Sequence, residues 1–351
     1  MNTVFRNFIN ALSRYKMATI LNVIGLSIAF TAFIILIMQV YYDWGYDRFH
    51  KDADLIFRVE YTSNDKALAT LPRPLVDAFI ASSPHIKMGT LIKKWDDKRN
   101  VAVENNGIRT GFSEFYQEVY PNYSELFDFE MVEGNRAALE MPDMVLIPES
   151  MARKFFPDGS ATGKILVSDE LRAEIGGVYR DFPPNSMIGN AIYKKISDKD
   201  GAGEWQFHNY ESYVLVDTPN SISDIINNFE ANFRHEAFDW SKNGVRLTNL
   251  PEIYYLPDIV FDSQTSKGNR LQVLILFSVA LLIIVVAVIN FTNFSNALIP
   301  IRLKSINTQK VLGCSDNLLR ISIVVESIVI CLMASPSSFY MLCRIPLSPI
   351  R

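Results

Sequence analysis

Leu271-Gln-Val-Leu-Ile-Leu-Phe-Ser-Val-Ala-Leu-Leu-Ile-Ile-Val-Val-Ala-Val-Ile289-Asn-Phe-Thr-Asn-Phe-Ser-Asn-Ala-Leu-Ile-Pro-Ile301 runs for 31 residues without Asp, Glu, Lys or Arg. About 20 apolar residues cross a bilayer core, so the stretch reads as a membrane span. Fifteen of the 19 residues from Leu271 to Ile289 are Leu, Ile, Val or Phe; at about −0.3 to −0.6 kcal/mol each, they favour insertion by roughly 5 to 9 kcal/mol. The flanking charges set its direction. Arg302, Lys304 and Lys310 follow with no acid before Asp316, whereas Asp258 and Asp262 precede it. The positive-inside rule therefore puts the C-terminal end in the cytoplasm.

A second uncharged run, Met17 to Tyr42, lies near the N-terminus. Arg6, Arg14 and Lys16 precede it and Asp43 and Asp47 follow it, so the same rule gives a cytoplasmic N-terminus and an exit to the outside. The two spans agree on one topology, with residues 43–268 extracytoplasmic. Val4, Phe5, Phe8, Ile9, Leu12 and Tyr15 recur at helical spacing, which predicts an interfacial helix over residues 1–16. A signal peptide is the alternative, but the run is long and no small-residue cleavage site follows it. Asn22, Gly25, Ala29, Ala32, Leu36 and Gln39 fall at three- and four-residue steps, a stripe suited to close helix contact in a membrane.

Charge is partitioned in the same way. Residues 43–267 hold 24 basic and 36 acidic residues, a net of −12, while the flanks hold 10 and 2, a net of +8. The middle is thus a solvated acidic domain, too poor in basic residues to hold nucleic acid. Cys314, Cys331 and Cys343 all lie in the flanks, which leaves the middle without a disulfide framework.

Within the middle, Leu55–Tyr61, Pro74–Ser83 and Ile86–Trp95 read as strand, helix, strand. Tyr213–Asp217, Ser221–His235 and Val245–Leu250 repeat that order, with Ser221 as the expected N-cap three residues before Asp224. This suggests an internal repeat with an insertion over about 111–190. The insertion carries a helix at Pro148–Phe155 and strands at Gly163–Val167 and Ala173–Tyr179. Glu104-Asn105-Asn106-Gly107 reads as a hairpin turn. The class is α+β.

Catalytic patterns are weak. Gly159-Ser-Ala-Thr-Gly163-Lys164 has three residues between its glycines and Ile165 after the lysine, so it fails the phosphate-loop pattern. His50, His85, His208 and His235 are dispersed and no cysteine lies near them, which disfavours zinc. Asp198, Asp200 and Glu204 do not follow the calcium-loop spacing. No cofactor or metal is expected. Polar residues inside the spans say more: Asn290, Asn293 and Asn296 step by three in the second span, and Glu326 lies in a third apolar run beginning at Ile321. Such groups face a bundle interior or, alternatively, sit at tolerant interfacial ends.

Several motifs, in this order and on this topology, resemble the FtsX-like ABC transporter permeases with a MacB-type periplasmic core domain. They are Tyr46-Asp-Arg-Phe-His50-Lys-Asp-Ala-Asp-Leu-Ile-Phe-Arg-Val59, Ala152-Arg-Lys-Phe-Phe-Pro-Asp-Gly-Ser-Ala-Thr-Gly-Lys164, Gly177-Val-Tyr-Arg-Asp-Phe-Pro-Pro-Asn-Ser186, Ile289-Asn-Phe-Thr-Asn293, and Lys310-Val-Leu-Gly-Cys-Ser315 with Glu326 beyond. The resemblance implies membrane helices flanking a porter-like α+β domain with an inserted subdomain, in the inner membrane of a bacterial cell with residues 43–268 periplasmic. It implies a non-catalytic subunit that couples a cytoplasmic ABC ATPase, bound in trans, to movement of that domain, as a homodimer or paired with a similar permease. The loop 302–320 would dock the ATPase through Lys310, Val311, Leu312 and Gly313, although Ser305-Ile-Asn-Thr-Gln-Lys310 departs from the acidic-aliphatic-Gly-Arg-Lys run usual before it. Helix packing is expected through Asn22, Gly25, Ala29, Ala32, Asn290, Asn293 and Glu326. A two-span sensor with an extracytoplasmic ligand domain and a membrane-tethered hydrolase are the competing readings; the first lacks a signalling domain and the second lacks catalytic groups. The resulting domain plan is an interfacial helix (1–16), span one (17–42), the extracytoplasmic domain (43–268), span two (269–301), the coupling loop (302–320), a third span (321–343) and an irregular tail (344–351). Ser335-Pro336-Ser-Ser338 interrupts the third span, and a fourth span and cytoplasmic C-terminus of the family's kind are missing, so this is expected to be an incomplete permease.

Overall fold

The computed structural model describes residues 16–63, 66–94, 98–105, 108–157, 159–168, 172–236, 243–256, 259–260, 267–297, 299–311 and scattered positions from 313 to 328. The predicted interfacial helix before Lys16, Leu312, Glu326 and the run beyond 328 lie outside these residues. Two compact units are present: one contains residues 1–44 and 269–351, the other Gly45–Gly268.

In chain order the elements are α1 (Lys16–Trp44), β1 (Ile56–Ser63), β2 (Lys66–Leu68), α2 (Arg73–Ile80), β3 (Ile86–Lys93), β4 (Lys98–Asn105), β5 (Ile108–Val119), α3 (Tyr123–Leu126), β6 (Met131–Gly134) and β7 (Met144–Pro148). There follow α4 (Glu149–Phe155), β8 (Ile165–Val167), β9 (Arg172–Tyr179), β10 (Ile192–Lys195), β11 (Tyr210–Val216), α5 (Ile222–Asn232), β12 (Asn243–Asn249), α6 (Leu250–Ile253), β13 (Ile259–Val260), α7 (Arg270–Ala297) and α8 (Ile299–Val311). The α+β class is as expected.

The two strand–helix–strand units interleave. β11 lies between β1 and β3, and β1 lies between β11 and β12, all neighbours antiparallel, which is the split β-α-β arrangement. The period-2 pattern of β1 sends Phe57, Val59 and Tyr61 to the face covered by α2 and α5, where they meet Leu75, Val76, Phe79, Ile225 and Phe229. Phe79 and Phe229 close that layer edge to face at 5.0 Å. The other face is buried too, under Tyr123, Phe127 and Ile253. Arg58 and Glu60 point into it and are fully buried. Glu60 Oε1 accepts from Arg58 Nε and Nη2 at 3.0 and 2.8 Å, and Oε2 accepts from Arg246 Nε at 2.7 Å and Thr248 Oγ1 at 3.0 Å. Nearby on β11, Glu211 Oε2 receives the Tyr213 hydroxyl at 2.8 Å and lies 3.3 Å from Lys94 Nζ.

Between the two units of the split motif, six strands close a ring. β4 pairs β5 and β8, β9 pairs β8 and β7, and β10 joins β7 antiparallel to β5 parallel. Val101, Val103, Val145, Ile147, Leu166, Ile175 and Ile192 fill it, with Met151 and Phe155 of α4 packed into the same cluster. The β4–β5 hairpin has its last pair at Asn105 and Ile108, where the sequence places a tight turn.

One cap differs from expectation. Ser221 has helical backbone angles and no capping bond; its hydroxyl donates to Asp217 and to the Thr218 carbonyl. A 3-10 turn over Pro219–Ser221 precedes α5, and Thr218, with extended backbone, accepts from Asn220 N. Pro219 favours the first position of a helical turn, which moves the cap one turn earlier. Past α7, the segment predicted as a loop is helical through Val311: Pro300 sits in the first turn, where a missing N–H is harmless, and no glycine occurs before Gly313.

Candidate functional site

α1 and α7 are each long and apolar enough to cross a membrane, and they pack on one another. Leu26 and Ala287 are buried at the seam, with Val23, Ala29, Phe30 and Phe291 around them. Gly25 faces the Asn290 amide, which would stand 4.0 Å from a Cβ there; Asn22 is buried, and its Nδ2 has no hydrogen-bond partner among the described residues. Ala32 is half-buried, while Asn293 and Asn296 are exposed. Thr31 and Ser27 donate to carbonyls one turn back, both at 2.7 Å, which satisfies hydroxyls in an apolar setting. Outward-facing Ile20, Leu21, Ile24, Leu274, Leu282 and Val286 are exposed, an apolar surface of the kind that lipid covers. On α8, Lys310 and Val311 are exposed in the last turn, and Gly313 (φ +85°) donates to the Lys310 carbonyl at 3.0 Å; such a left-handed glycine ends a helix.

In the Gly45–Gly268 unit, the family-like motifs are structural fastenings. Asp47 takes a left-handed φ of 54°, a conformation that Asp tolerates better than most residues. Its carboxylate accepts from Ser186 Oγ and Met187 N, both at 2.9 Å, and its N–H donates to Asn185 O at 3.0 Å. The motif after α1 is thereby stapled to the loop after β9. Burial outweighs those hydrogen bonds and pushes the Asp47 carboxyl up to about 7. His50, packed among Phe49, Phe127 and Phe182, donates from Nδ1 to Phe127 O at 3.2 Å, since a carbonyl only accepts. Burial holds its imidazole down at about 4, hence neutral. Its Nε2 is 3.9 Å from Asp47 Oδ1 and has no hydrogen-bond partner among the described residues.

The glycine-flanked segment 159–164 wraps a carboxylate of its own chain. Glu133 Oε2 accepts from Ser160 Oγ at 2.5 Å, Thr162 Oγ1 at 3.1 Å and Ala161 N at 3.2 Å, and the Ser160 bond above all holds Glu133 below the usual carboxylate range. Asp181, in the motif after β9, accepts from Ser150 N at 3.1 Å and so caps α4. The histidines stay apart: His85 pairs with Asp217 at 2.7 Å, His208 meets Thr70 O, and His235 stacks on Trp205. Among the described residues no cluster of His, Cys, Asp or Glu is arranged to hold a metal ion.

No curated protein matches the sequence. Among solved structures the chain is similar to a domain assigned to a permease protein of Porphyromonas gingivalis, at 20% identity over 60% of this chain and 94% of that one with a TM-score of 0.49. It is also similar to the periplasmic region of MacB from Actinobacillus actinomycetemcomitans (11%, 57% and 91%, 0.42). The extracellular domain of the noncanonic ABC-type transporter YknZ from Gram-positive bacteria gives 13%, 55% and 100%, with 0.36. The family described as the MacB-like periplasmic core domain matches residues 19–231, from inside α1 to the last turn of α5. That match takes in more than half of the chain and both motifs that fasten the turn after α1, so the protein belongs to the MacB-like periplasmic core domain family and is a membrane protein with a periplasmic segment.

Proposed function

We propose that this chain is the membrane subunit of an ABC transporter of the FtsX-like, mechanotransmitting kind: a non-catalytic permease that turns closure of a cytoplasmic ATPase, bound in trans, into movement of its periplasmic domain. The observation that carries the reading is a MacB-like periplasmic core domain threaded between two helices of membrane-crossing length. The N-terminus is then cytoplasmic, residues 43–268 periplasmic, and the exposed end of α8 at Lys310 and Val311, together with Leu312 and Gly313 that follow in sequence, is the ATPase contact. That end is cationic, with no acid from Leu298 to Ser315; short apolar helix ends of this sort suit a partner's groove. The complex is a homodimer or a pairing with a similar permease, and the Asn22, Gly25, Ala29, Ala32, Asn290, Asn293 and Glu326 positions serve the packing of membrane helices on one another.

The test is purification from native membranes with identification of a co-purifying ATPase, followed by Leu312→Asp. A carboxylate buried without a partner costs several kcal/mol, so the variant should insert normally yet lose stimulation of the ATPase. Undiminished coupling would remove the loop from the contact. For topology, Cys substitutions at Ser63 and Asn220 should react with an impermeant thiol reagent in outer-permeabilised cells while Cys314 stays unlabelled; labelled Cys314 would invert the orientation.

A further inference from the structure

The chain enters the Gly45–Gly268 unit one residue before Tyr46 and leaves it at Gly268, and both places rest on one side chain, Tyr254. Tyr46 stacks on the Tyr254 ring with centroids 3.8 Å apart and planes 10° from parallel. Gly268 lies against the same ring: a Cβ there would be 2.1 Å from Cε1 and 2.6 Å from Cδ1, and Gly268 N donates to Tyr254 O at 2.9 Å. Tyr254 is 5% exposed. It follows directly on α6, whose Leu250 and Ile253 are fully buried and which continues from β12, the long-register partner of β1. The ring is therefore mounted on the sheet. From Tyr46 the connection goes further, through its hydroxyl to Ser186 O at 3.3 Å and through neighbouring Asp47 to Met187 N. Other fastenings act on one crossing each: Asn249 Nδ2 holds the Ala53 and Ile56 carbonyls after the first, and Lys267 Nζ reaches Ile253 O before the second.

We propose that the Tyr254 ring is the joint at which both chain crossings are fastened to the periplasmic domain, so that displacement of either apolar helix reaches the other crossing and the 182–190 loop through Tyr46, Tyr254 and Gly268. The joint itself is independent of any ATPase; its use in transmission rests on the permease reading above. Aromatic stacking of this kind is worth enough beyond its area to change local opening by roughly two- to tenfold.

Hydrogen–deuterium exchange of the full chain in lipid nanodiscs tests the joint. Tyr254→Leu should speed exchange roughly two- to tenfold at residues 45–50 and at 267–268 together, and Gly268→Ala should do the same from the other side. Tyr254→Phe, which keeps the stacked ring, should behave as wild type. Val245→Ala, in the separate cluster under α2 and α5, serves as a control for general destabilisation. Faster exchange at only one crossing, or the same pattern in Val245→Ala, overturns the joint. Transmission is read by energy transfer from a fluorophore on Asn220→Cys, in a chain whose native cysteines are serine, to acceptor lipid, in complex with the co-purified ATPase and magnesium–ATP. The wild type should show a nucleotide-dependent change that Tyr254→Leu reduces about twofold or more while hydrolysis continues. A full change in Tyr254→Leu overturns the role in transmission; no change in the wild type overturns the permease reading instead.

Discussion

The ring of strands between Lys98 and Lys195 and the interleaved sheet of β3, β11, β1 and β12 bury their strands by different means. The cluster inside the ring is built of apolar side chains such as Val101, Val145, Leu166 and Ile175, and β7, β9 and β10 bury Leu146, Tyr179 and Tyr193 on their other face as well. The sheet is covered on both sides, and its second face brings Arg58, Glu60 and Glu211 out of water. A hydrophobic interior tolerates loss of a methyl group at modest cost, whereas a buried charge is stable only while every partner stays in place. The two halves of one domain should therefore answer substitution on different scales.

The largest effect is expected at Glu60→Ala, which leaves Arg58 and Arg246 without their shared carboxylate. A loss of about 3–5 kcal/mol in chemical unfolding of the detergent-solubilised chain is expected; a loss below about 1 kcal/mol would mean that solvent reaches the network and would erase the contrast. The next effect lies where the first turns meet the loop after β9. Asp47 goes from 3.8 when unfolded to about 7 when folded, so the folded state keeps a proton that the unfolded state gives up. Its contribution is complete below about 4 and is lost as pH rises to about 7. Wild type should lose stability relative to Asp47→Asn across that window, and Asn also tolerates the left-handed backbone there. Parallel pH profiles for the two proteins would place Asp47 in solvent. His50, held at about 4, acts with the opposite sign, its contribution fading as pH falls from 6.5 towards 4.

Within the ring, Ile175→Val removes one buried methylene and should cost about 0.5–1.5 kcal/mol. A cost as large as that of Glu60→Ala would show the ring to be the less tolerant half. Smallest of all is Arg153→Ala on α4. Its pair with Glu149 is made by a side chain 76% exposed, and such surface pairs contribute about 0–1 kcal/mol; a larger measured loss would give Arg153 a second role.

Both long helices, the outer elements of the two strand–helix–strand units and the hairpin at Asn105 were legible because each is signalled locally, by uncharged length, by period or by turn residues. Ring closure was not. It depends on Ile192–Lys195, four residues with no distinctive pattern, finding β5 and β7 far away in the chain. The buried Arg58 and Glu60 were equally silent, since alternation along β1 places them opposite Phe57 and Val59, the side that strand patterning ordinarily gives to water. At the crossings, the motif from Tyr46 to Val59 was visible as a motif, but its partners Asn185, Ser186 and Tyr254 could be assigned only from contacts distant in sequence. The fastening of segment 159–164 to Glu133 shows the converse: a loop that superficially resembles a phosphate cradle spends its N–H and hydroxyl groups on a carboxylate already present.

The interleaving of β1 and β11 also bears on how the domain is made. A chain exported from its N-terminus delivers β1 first, yet both long neighbours of β1, β11 and β12, are delivered only after the whole ring has followed. Until Tyr210 arrives, β1 has open edges along Ile56–Glu60, β2 covering one edge of Tyr61–Ser63 alone, the condition that invites pairing with another chain. The alternating charges Arg58 and Glu60 oppose such a mispairing, because a foreign strand would have to desolvate them without Arg246 and Thr248. Non-local pairing of this kind is slow to form as a class, so the charges that later join the network are also the ones set against mispairing during the wait.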